Sequence, residues 1–249
     1  MIGRVVRILS VAAVVAVVTP EALPQTVSVD LGTGQGLTSG IVQLIAAITV
    51  LSLAPSILVM TTSFVRIVVV LSLLRTAIGL QNAPPNSVVI SLSLFLTAFV
   101  MAPTFSAAYE AGIAPYMAES ITLEEAIPRT LGPVQAFMGE HVNPEDVALF
   151  ANMAKIQNLQ SPEQAPFHVL APAFMISELK RAFEIGFMVF LPFLVIDLVV
   201  SSILMAMGMM MLPPVTISLP FKLIFFVLVD GWRMLAGSLV ESFMAGPPI

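Results

Sequence analysis

The chain has 249 residues, a formal net charge of −5, 58% hydrophobic residues and 10% charged residues. A soluble domain carries about 25% charged residues because its surface must stay hydrated, so this composition excludes an ordinary soluble globule and indicates a membrane protein. The absence of cysteine excludes disulfides and thiolate metal sites, and the acidic balance excludes a basic surface for nucleic acid.

The N-terminus has the pattern of a secretory signal peptide, which we predict for residues 1–22. Arg4 and Arg7 make its start positive, and residues 8–18 form an apolar core that is too short to span a bilayer of about 30 Å. The sequence does not define a cleavage position, so an uncleaved anchor is the alternative. Residues 23–40, which are rich in glycine, are predicted to be a flexible linker.

Four apolar stretches follow, arranged as two pairs. Residues 41–108 hold the first pair, in which Pro55 removes a backbone donor and favours a kink or a break into two shorter helices. Residues 185–249 hold the second pair, which we predict to be a helical hairpin that turns at Pro213 and Pro214. We therefore expect an all-α fold of membrane-associated hairpins with kinked helices.

Residues 109–184 separate the two pairs and carry 14 of the 25 charged residues, ten of them acidic. Thr122 and Glu125 have the spacing of a capping box, and Asn143 before Pro144 is typical of a helix N-cap. These signals predict a small acidic helical domain that lies in water and is inserted into the membrane protein.

The basic residues predict an orientation through the positive-inside rule. Arg66, Arg75 and Lys222 flank the turns within the two apolar pairs, whereas the middle segment is acidic. We therefore predict that those turns lie in the cytoplasm and that the 109–184 domain lies outside it.

The sequence carries no catalytic or metal-binding motif. A membrane protease needs a nucleophile–base pair or an HExxH motif in an apolar helix, and neither is present. His141 and His168 lie far apart and have no carboxylate partners at metal-ligand spacing, so we interpret both as structural or solvated residues. We predict no enzyme activity, no metal and no cofactor.

Asp197 lies inside an apolar run, where an ionisable group is costly without a partner. In a hairpin that turns at the two prolines, Asp197 is level with Asp230, and Arg233 is within reach one turn beyond. Lys222 lies nearer the turn and is expected to meet an acid on another helix or subunit. A structural ion pair is favoured over a proton relay, because no chain of Asp, Glu and His accompanies Asp197.

A methionine cluster lies between the third and fourth apolar stretches and comprises Met205, Met207, Met209, Met210 and Met211. Methionine is flexible and polarizable, so one interpretation is that these residues fill irregular gaps in a membrane core. The other interpretation is a deformable apolar plug. Gly208 and the two prolines are compatible with the plug, because they place Met209, Met210 and Met211 at a helix end or turn and not on a regular helix face. Composition alone favours gap filling.

Two long ordered blocks of the sequence resemble the FliP family, the P subunit of the bacterial flagellar export gate, which is related to the matching subunit of virulence injectisomes. Within residues 41–103 the resemblance lies in Thr61–Arg75, Gly79–Asn82 and Pro84–Asn86. Within residues 172–240 it lies in Ile176–Gly186, Pro192–Leu198, Met205–Pro214, Leu219–Lys222 and Val229–Trp232. The blocks cover well over half of the chain, and the signal-like start and acidic middle segment suit the flagellar branch.

The resemblance implies a subunit that assembles with further copies of itself and with Q-type and R-type subunits into a closed gate. Unfolded flagellar proteins pass through such a gate, and the B-type and A-type export proteins are further implied partners. The implied location is the bacterial inner membrane at the flagellar basal body, in contact with lipid and with the middle domain periplasmic.

The resemblance also implies roles for three groups of residues. The group that would form a gasket across the pore is Met209, Met210 and Met211. The group that would hold neighbouring P subunits together is Phe137, Phe150 and Glu178. The group that would fix helices within or between subunits is Asp197, Lys222 and Arg233.

A small-solute secondary transporter is the alternative function. Such a protein predicts inverted repeats and paired broken helices around a site at the middle of the membrane. Pro55 and Pro192 are compatible with broken helices, but the sequence contains no internal repeat.

Overall fold

The computed structural model describes residues 36–80, 82–156, 159, 161–209 and 211–244, so the predicted signal peptide lies outside the described residues. The described α-helices are α1 Gly36–Met60, α2 Phe64–Ile78, α3 Asn86–Ala108, α4 Ala114–Met117, α5 Leu123–His141, α6 Pro144–Met153, α7 Phe167–Ala206, α8 Pro214–Leu228 and α9 Gly231–Met244. A π-helical turn, Tyr109–Ile113, joins α3 to α4, and a 3-10 turn, Pro162–Gln164, precedes α7. The described residues form no strand, and the all-α prediction is confirmed.

The chain divides into two units, 1–52 and 53–249, and α1 crosses the boundary between them. Because α1 begins at Gly36, residues 36–40 of the predicted linker are helical. Pro55 lies inside α1 without ending it. The helix ends instead at Met60, and the carbonyl of Ile57 accepts hydrogen bonds from both the N–H and the hydroxyl of Thr61, each at 3.0 Å.

The core of the second unit lies where α2 packs against α7. One face of α2 is at most 3% exposed and comprises Ile67, Val70, Leu71, Leu74, Ala77 and Ile78. This spacing is that of a single apolar stripe on a helix. Gly186 of α7 allows the close approach, because a Cβ atom at this position would lie 2.2 Å from Cδ1 of Leu73.

Two described helical runs, Asn86–Met117 and Phe167–Ala206, are long and apolar enough to cross a membrane, or up to four if each of two bent helix pairs counts as one span. At 1.5 Å per residue, the 40 residues of α7 extend about 60 Å, twice the thickness of a bilayer's hydrocarbon core. The bilayer core therefore cannot enclose α7 along its whole length. Large apolar side chains on α7 stay exposed within the chain, among them Phe183, Phe187, Met188, Leu198 and Val199.

The acidic middle segment, residues 109–184, is not set off from the apolar helices by linkers. Asn86–Met117 is one helical run, and α7 continues without interruption from Phe167 to Ala206. Both predicted boundaries of this segment consequently fall inside helices.

Capping patterns predict the starts of two helices in the middle segment, and the structure has both. α6 begins after Asn143, whose side chain accepts a hydrogen bond from the N–H of Glu145 at 3.0 Å, as an N-cap does. α5 begins after Thr122, but that side chain makes no capping hydrogen bond, so the predicted capping box does not form.

Two of the three cations behind the predicted orientation are buried. Arg66 and Lys222 are 2% and 4% exposed and lie in ion pairs. Arg75 instead donates to the carbonyl of Pro84, in the connection between α2 and α3, and to the side-chain oxygen of Asn86, where α3 begins. The positive-inside rule counts cations in loops at the membrane surface, so two of these residues do not bear on it. The side of the membrane on which the middle segment lies stays a prediction.

Candidate functional site

The methionine turn, which we define as Met207–Pro213, connects α7 to α8. Gly208 ends α7 at a φ of +73°, in the left-handed region that favours glycine. Its N–H donates to the carbonyl of Met205 at 3.1 Å, and the N–H of Met209 donates to that of Leu204 at 3.0 Å. These two bonds form a Schellman motif, so α7 stops at the glycine and not at the two prolines.

The methionine side chains at this turn are mostly unburied within the chain. Met211 is 98% exposed, and Met207 and Met205 are 64% and 62% exposed. Met209 is half-buried, and Met210 lies outside the described residues. The tip of the α7–α8 hairpin is therefore an apolar surface that only lipid or another protein surface can shield from water.

A partly buried polar cluster fixes the register of this hairpin. Lys222 Nζ lies 2.6 Å from Asp197 Oδ2 and donates to the carbonyl of Ala77 at 3.1 Å. The hydroxyl of Ser218 donates to the other carboxylate oxygen of Asp197 at 2.5 Å. The cluster thus ties α7, α8 and the C-terminal end of α2 together.

The expected reach of Arg233 to Asp197 is wrong. Arg233 is 88% exposed and its Nη1 atom lies 4.0 Å from Oδ2 of Asp230, three residues earlier, while Asp197 pairs with Lys222. The reason is the position of the turn. A hairpin centred near residue 210 brings residue 222 level with residue 197, whereas a turn at residues 213–214 would have brought residue 230 there.

A second ion pair, which is fully buried, joins Arg66 of α2 to Glu178 of α7. Arg66 Nε and Nη2 donate to the two carboxylate oxygens of Glu178 at 2.8 and 2.5 Å, and the two side chains are 2% and 0% exposed. Glu178 was expected at a subunit interface, and its pairing with Arg66 was not predicted. A signal for the pairing exists in the sequence, since Arg66 lies within an apolar run just as Asp197 does.

Phe137 belongs to an aromatic group in the core, whereas Phe150 lies at its edge. Phe137 is 8% exposed, with its ring centroid 6.0 Å from that of Phe174 and 6.2 Å from that of Phe243. Phe150 is half-buried and packs against the core. Their predicted role in holding neighbouring subunits stays a prediction, and Phe150 has the more accessible side chain for it.

The two histidines are placed differently. His141 is buried, and its ring nitrogens lie 2.8 Å from the carbonyl oxygen of Phe137 and 3.1 Å from that of Phe243. His168 is exposed. Among the described residues, no group of three or more His, Asp or Glu has the arrangement of a metal site.

Known proteins resemble this chain over most of its length. The model of the FliP family matches residues 47–239. A flagellar biosynthetic protein FliP from Caulobacter vibrioides is 61% identical over 246 residues, covering 98% of this chain and 92% of the relative. Proteins of the same name from Bacillus subtilis and Pectobacterium carotovorum are 53% and 52% identical, covering 82% and 89% of this chain and 93% and 86% of the relatives. The chain therefore belongs to the FliP family and is a helical, membrane-associated flagellar biosynthesis protein of the export apparatus.

Proposed function

We propose that this chain is a subunit of the flagellar protein export gate. With further copies of itself and with Q-type and R-type subunits, it forms a closed pore in the inner membrane. Unfolded flagellar proteins leave the cytoplasm through this pore for assembly of the flagellum. The B-type and A-type export proteins are its further partners, and its middle segment faces the periplasm.

The observation that carries this proposal is the exposed apolar tip of the α7–α8 hairpin. Met211 is almost fully exposed at a turn, where a helical stripe cannot pack it, and Met209 lies beside it. Flexible thioether side chains from several copies can meet in a ring that excludes water and ions, yet they can rearrange around a passing chain. Membership of the FliP family supports the same function and gives the small-solute transporter no support.

Replacement of Met209, Met210 and Met211 by alanine tests the gasket directly. The shorter side chains leave a hydrated opening, so we expect an assembled complex whose membrane conducts ions about tenfold or more above the parent. Conductance of the inner membrane and entry of a small impermeant dye measure the leak.

The control replaces three exposed methionines outside the turn by alanine, namely Met117, Met153 and Met188, which are 70%, 68% and 70% exposed. This control should assemble and stay tight to ions. An assembled turn variant whose conductance equals that of the parent contradicts the gasket.

Contact between neighbouring copies through the middle segment is the second part of the proposal. The half-buried ring of Phe150 anchors one face in its own core and leaves the other for a neighbour. Phe150→Ala should therefore weaken association of the copies by about tenfold, as loss of an aromatic anchor typically does. Native gels of the protein in mild detergent measure the shift from multimer to monomer.

Val147→Ala is the control for this effect, because Val147 lies on the same helix but is only 4% exposed. It loosens the packing of α6 without altering the outer surface. Normal multimers of Phe150→Ala, or equal dissociation of both variants, count against an interface at Phe150.

A further inference from the structure

Arg66 does more in the structure than balance Glu178. Its guanidinium is bidentate on the Glu178 carboxylate, which holds the planar fork in one orientation. The remaining nitrogen, Nη1, points to α9, where it donates to the hydroxyl of Ser242 at 3.1 Å and to the carbonyl of Ser242 at 3.4 Å. Arg66 Cζ also lies 3.7 Å from the centroid of the Phe243 ring. One side chain of α2 therefore touches both α7 and α9.

The contacted residues form the last turn of α9, which ends at Met244. Cations are favourable near the C-terminal end of a helix because they oppose the negative end of the helix dipole. Arg66 donates a hydrogen bond to the carbonyl of Ser242, and a ring nitrogen of His141 lies 3.1 Å from the carbonyl oxygen of Phe243. The end of α9 thus has two partners from two other helices.

Apart from this end, α9 is held by one narrow apolar stripe. Its buried residues are Gly231, Leu235, Leu239 and Phe243, spaced by four residues. The opposite face is exposed, with Arg233 and Met234 at 88% and 64%. A helix of 14 residues with one such stripe is marginal alone, so its attachment depends on what holds its ends.

We propose that Arg66 is a positioning residue that locks the C-terminal helix α9 onto the α2–α7 core, with Glu178 as the group that aims it. The lock acts through the capped carbonyl of Ser242 and the face of the Phe243 ring. It concerns the docking of α9 and holds whether or not the methionine turn closes a pore.

Arg66→Lys is the first test. Lysine keeps the charge, but its single nitrogen cannot replace the three guanidinium nitrogens, two of which bind Glu178 while the third binds Ser242. Hydrogen exchange of the full chain in mild detergent, followed by mass spectrometry, measures the protection of α9. We expect the amides of residues 235–244 to exchange at least about tenfold faster in Arg66→Lys than in the parent. Arg233→Lys is the matched control, since Arg233 is an exposed cation on α9 itself and should leave exchange unchanged.

The charge-swapped double variant, Arg66→Glu with Glu178→Arg, separates the lock from an ordinary ion pair. It keeps opposite charges on α2 and α7, but a carboxylate at position 66 can neither donate to the Ser242 carbonyl nor stack on Phe243. We expect the amides of α2 and α7 to exchange as slowly as in the parent, while the amides of α9 still exchange fast. Restored protection of α9 in this double variant, or normal protection in Arg66→Lys, overturns the proposal.

Phe243→Leu tests the proposal even if substitutions of Arg66 prevent folding. Leucine keeps an apolar residue in the stripe and leaves the pair of Arg66 and Glu178 intact, but it removes the ring that lies under the guanidinium and beside Phe137 and His141. Exchange of α9 should rise while that of α2 and α7 stays at the parent level. Unchanged exchange of α9 in this variant also contradicts the lock.

Discussion

Glu178→Ala is expected to be strongly destabilising. It removes the counter-charge of Arg66, which is 2% exposed and cannot be rehydrated without opening the core between α2 and α7. Breaking a buried pair in this way costs about 3–5 kcal/mol, which for a chain of this size lowers the melting temperature by roughly 6–20 °C. Thermal unfolding of the purified protein in mild detergent, followed by circular dichroism, measures the change.

Two further variants test whether the unpaired charge of Arg66 causes the loss of stability. Glu184→Ala removes an exposed carboxylate from the same helix and should change stability by less than about 0.5 kcal/mol. Arg66→Met combined with Glu178→Leu removes both charges, so it should be more stable than Glu178→Ala alone. If the double variant melts as low as Glu178→Ala, the cost lies in lost packing or in the capping of α9, and the stranded charge is not its source.

The helices themselves could be predicted because their signals are local. Apolar spacing in α2 defines its buried face, and the side chain of Asn143 caps α6 as its position before Pro144 indicates. The methionine turn was also predictable as a turn. Its predicted register is wrong because the two prolines do not form its centre, and the left-handed Gly208 ends α7 before them.

The pairing of distant residues could not be predicted from local signals. Arg66 and Glu178 are 112 residues apart, and His141 and Phe243 are 102 apart, so no spacing rule links them. An ionisable residue in an apolar run shows that a partner is needed, but the partner is selected by how the helices pack. Asp197 illustrates both parts, since its need for a cation was predicted and its partner proved to be Lys222.

Removing Asp197 is expected to destabilise the protein more than removing Lys222, its partner in the ion pair. Asp197→Ala leaves the ammonium of Lys222, which is 4% exposed, without a counter-ion, whereas Lys222→Met leaves a carboxylate that is 32% exposed and can recruit water. We therefore expect Asp197→Ala to cost about 3 kcal/mol and Lys222→Met about 1–2 kcal/mol, although the lysine also serves the Ala77 carbonyl. Melting temperatures of the two variants, with Arg233→Met as an exposed control, test the order.

The same variants distinguish a structural pair from a proton relay. If the pair only fixes the register of α7 against α8, export of flagellar proteins should fall in proportion to the loss of assembled complex across all variants. Asp197→Asn is the decisive member, because asparagine has nearly the same shape and keeps one acceptor oxygen for Lys222, while its NH2 group can donate to the Ser218 hydroxyl, but it cannot carry a proton as a carboxylate does. An Asp197→Asn protein that assembles at the parent level yet exports nothing supports the relay, since a purely structural pair has no reason to lose function while its helices stay in place.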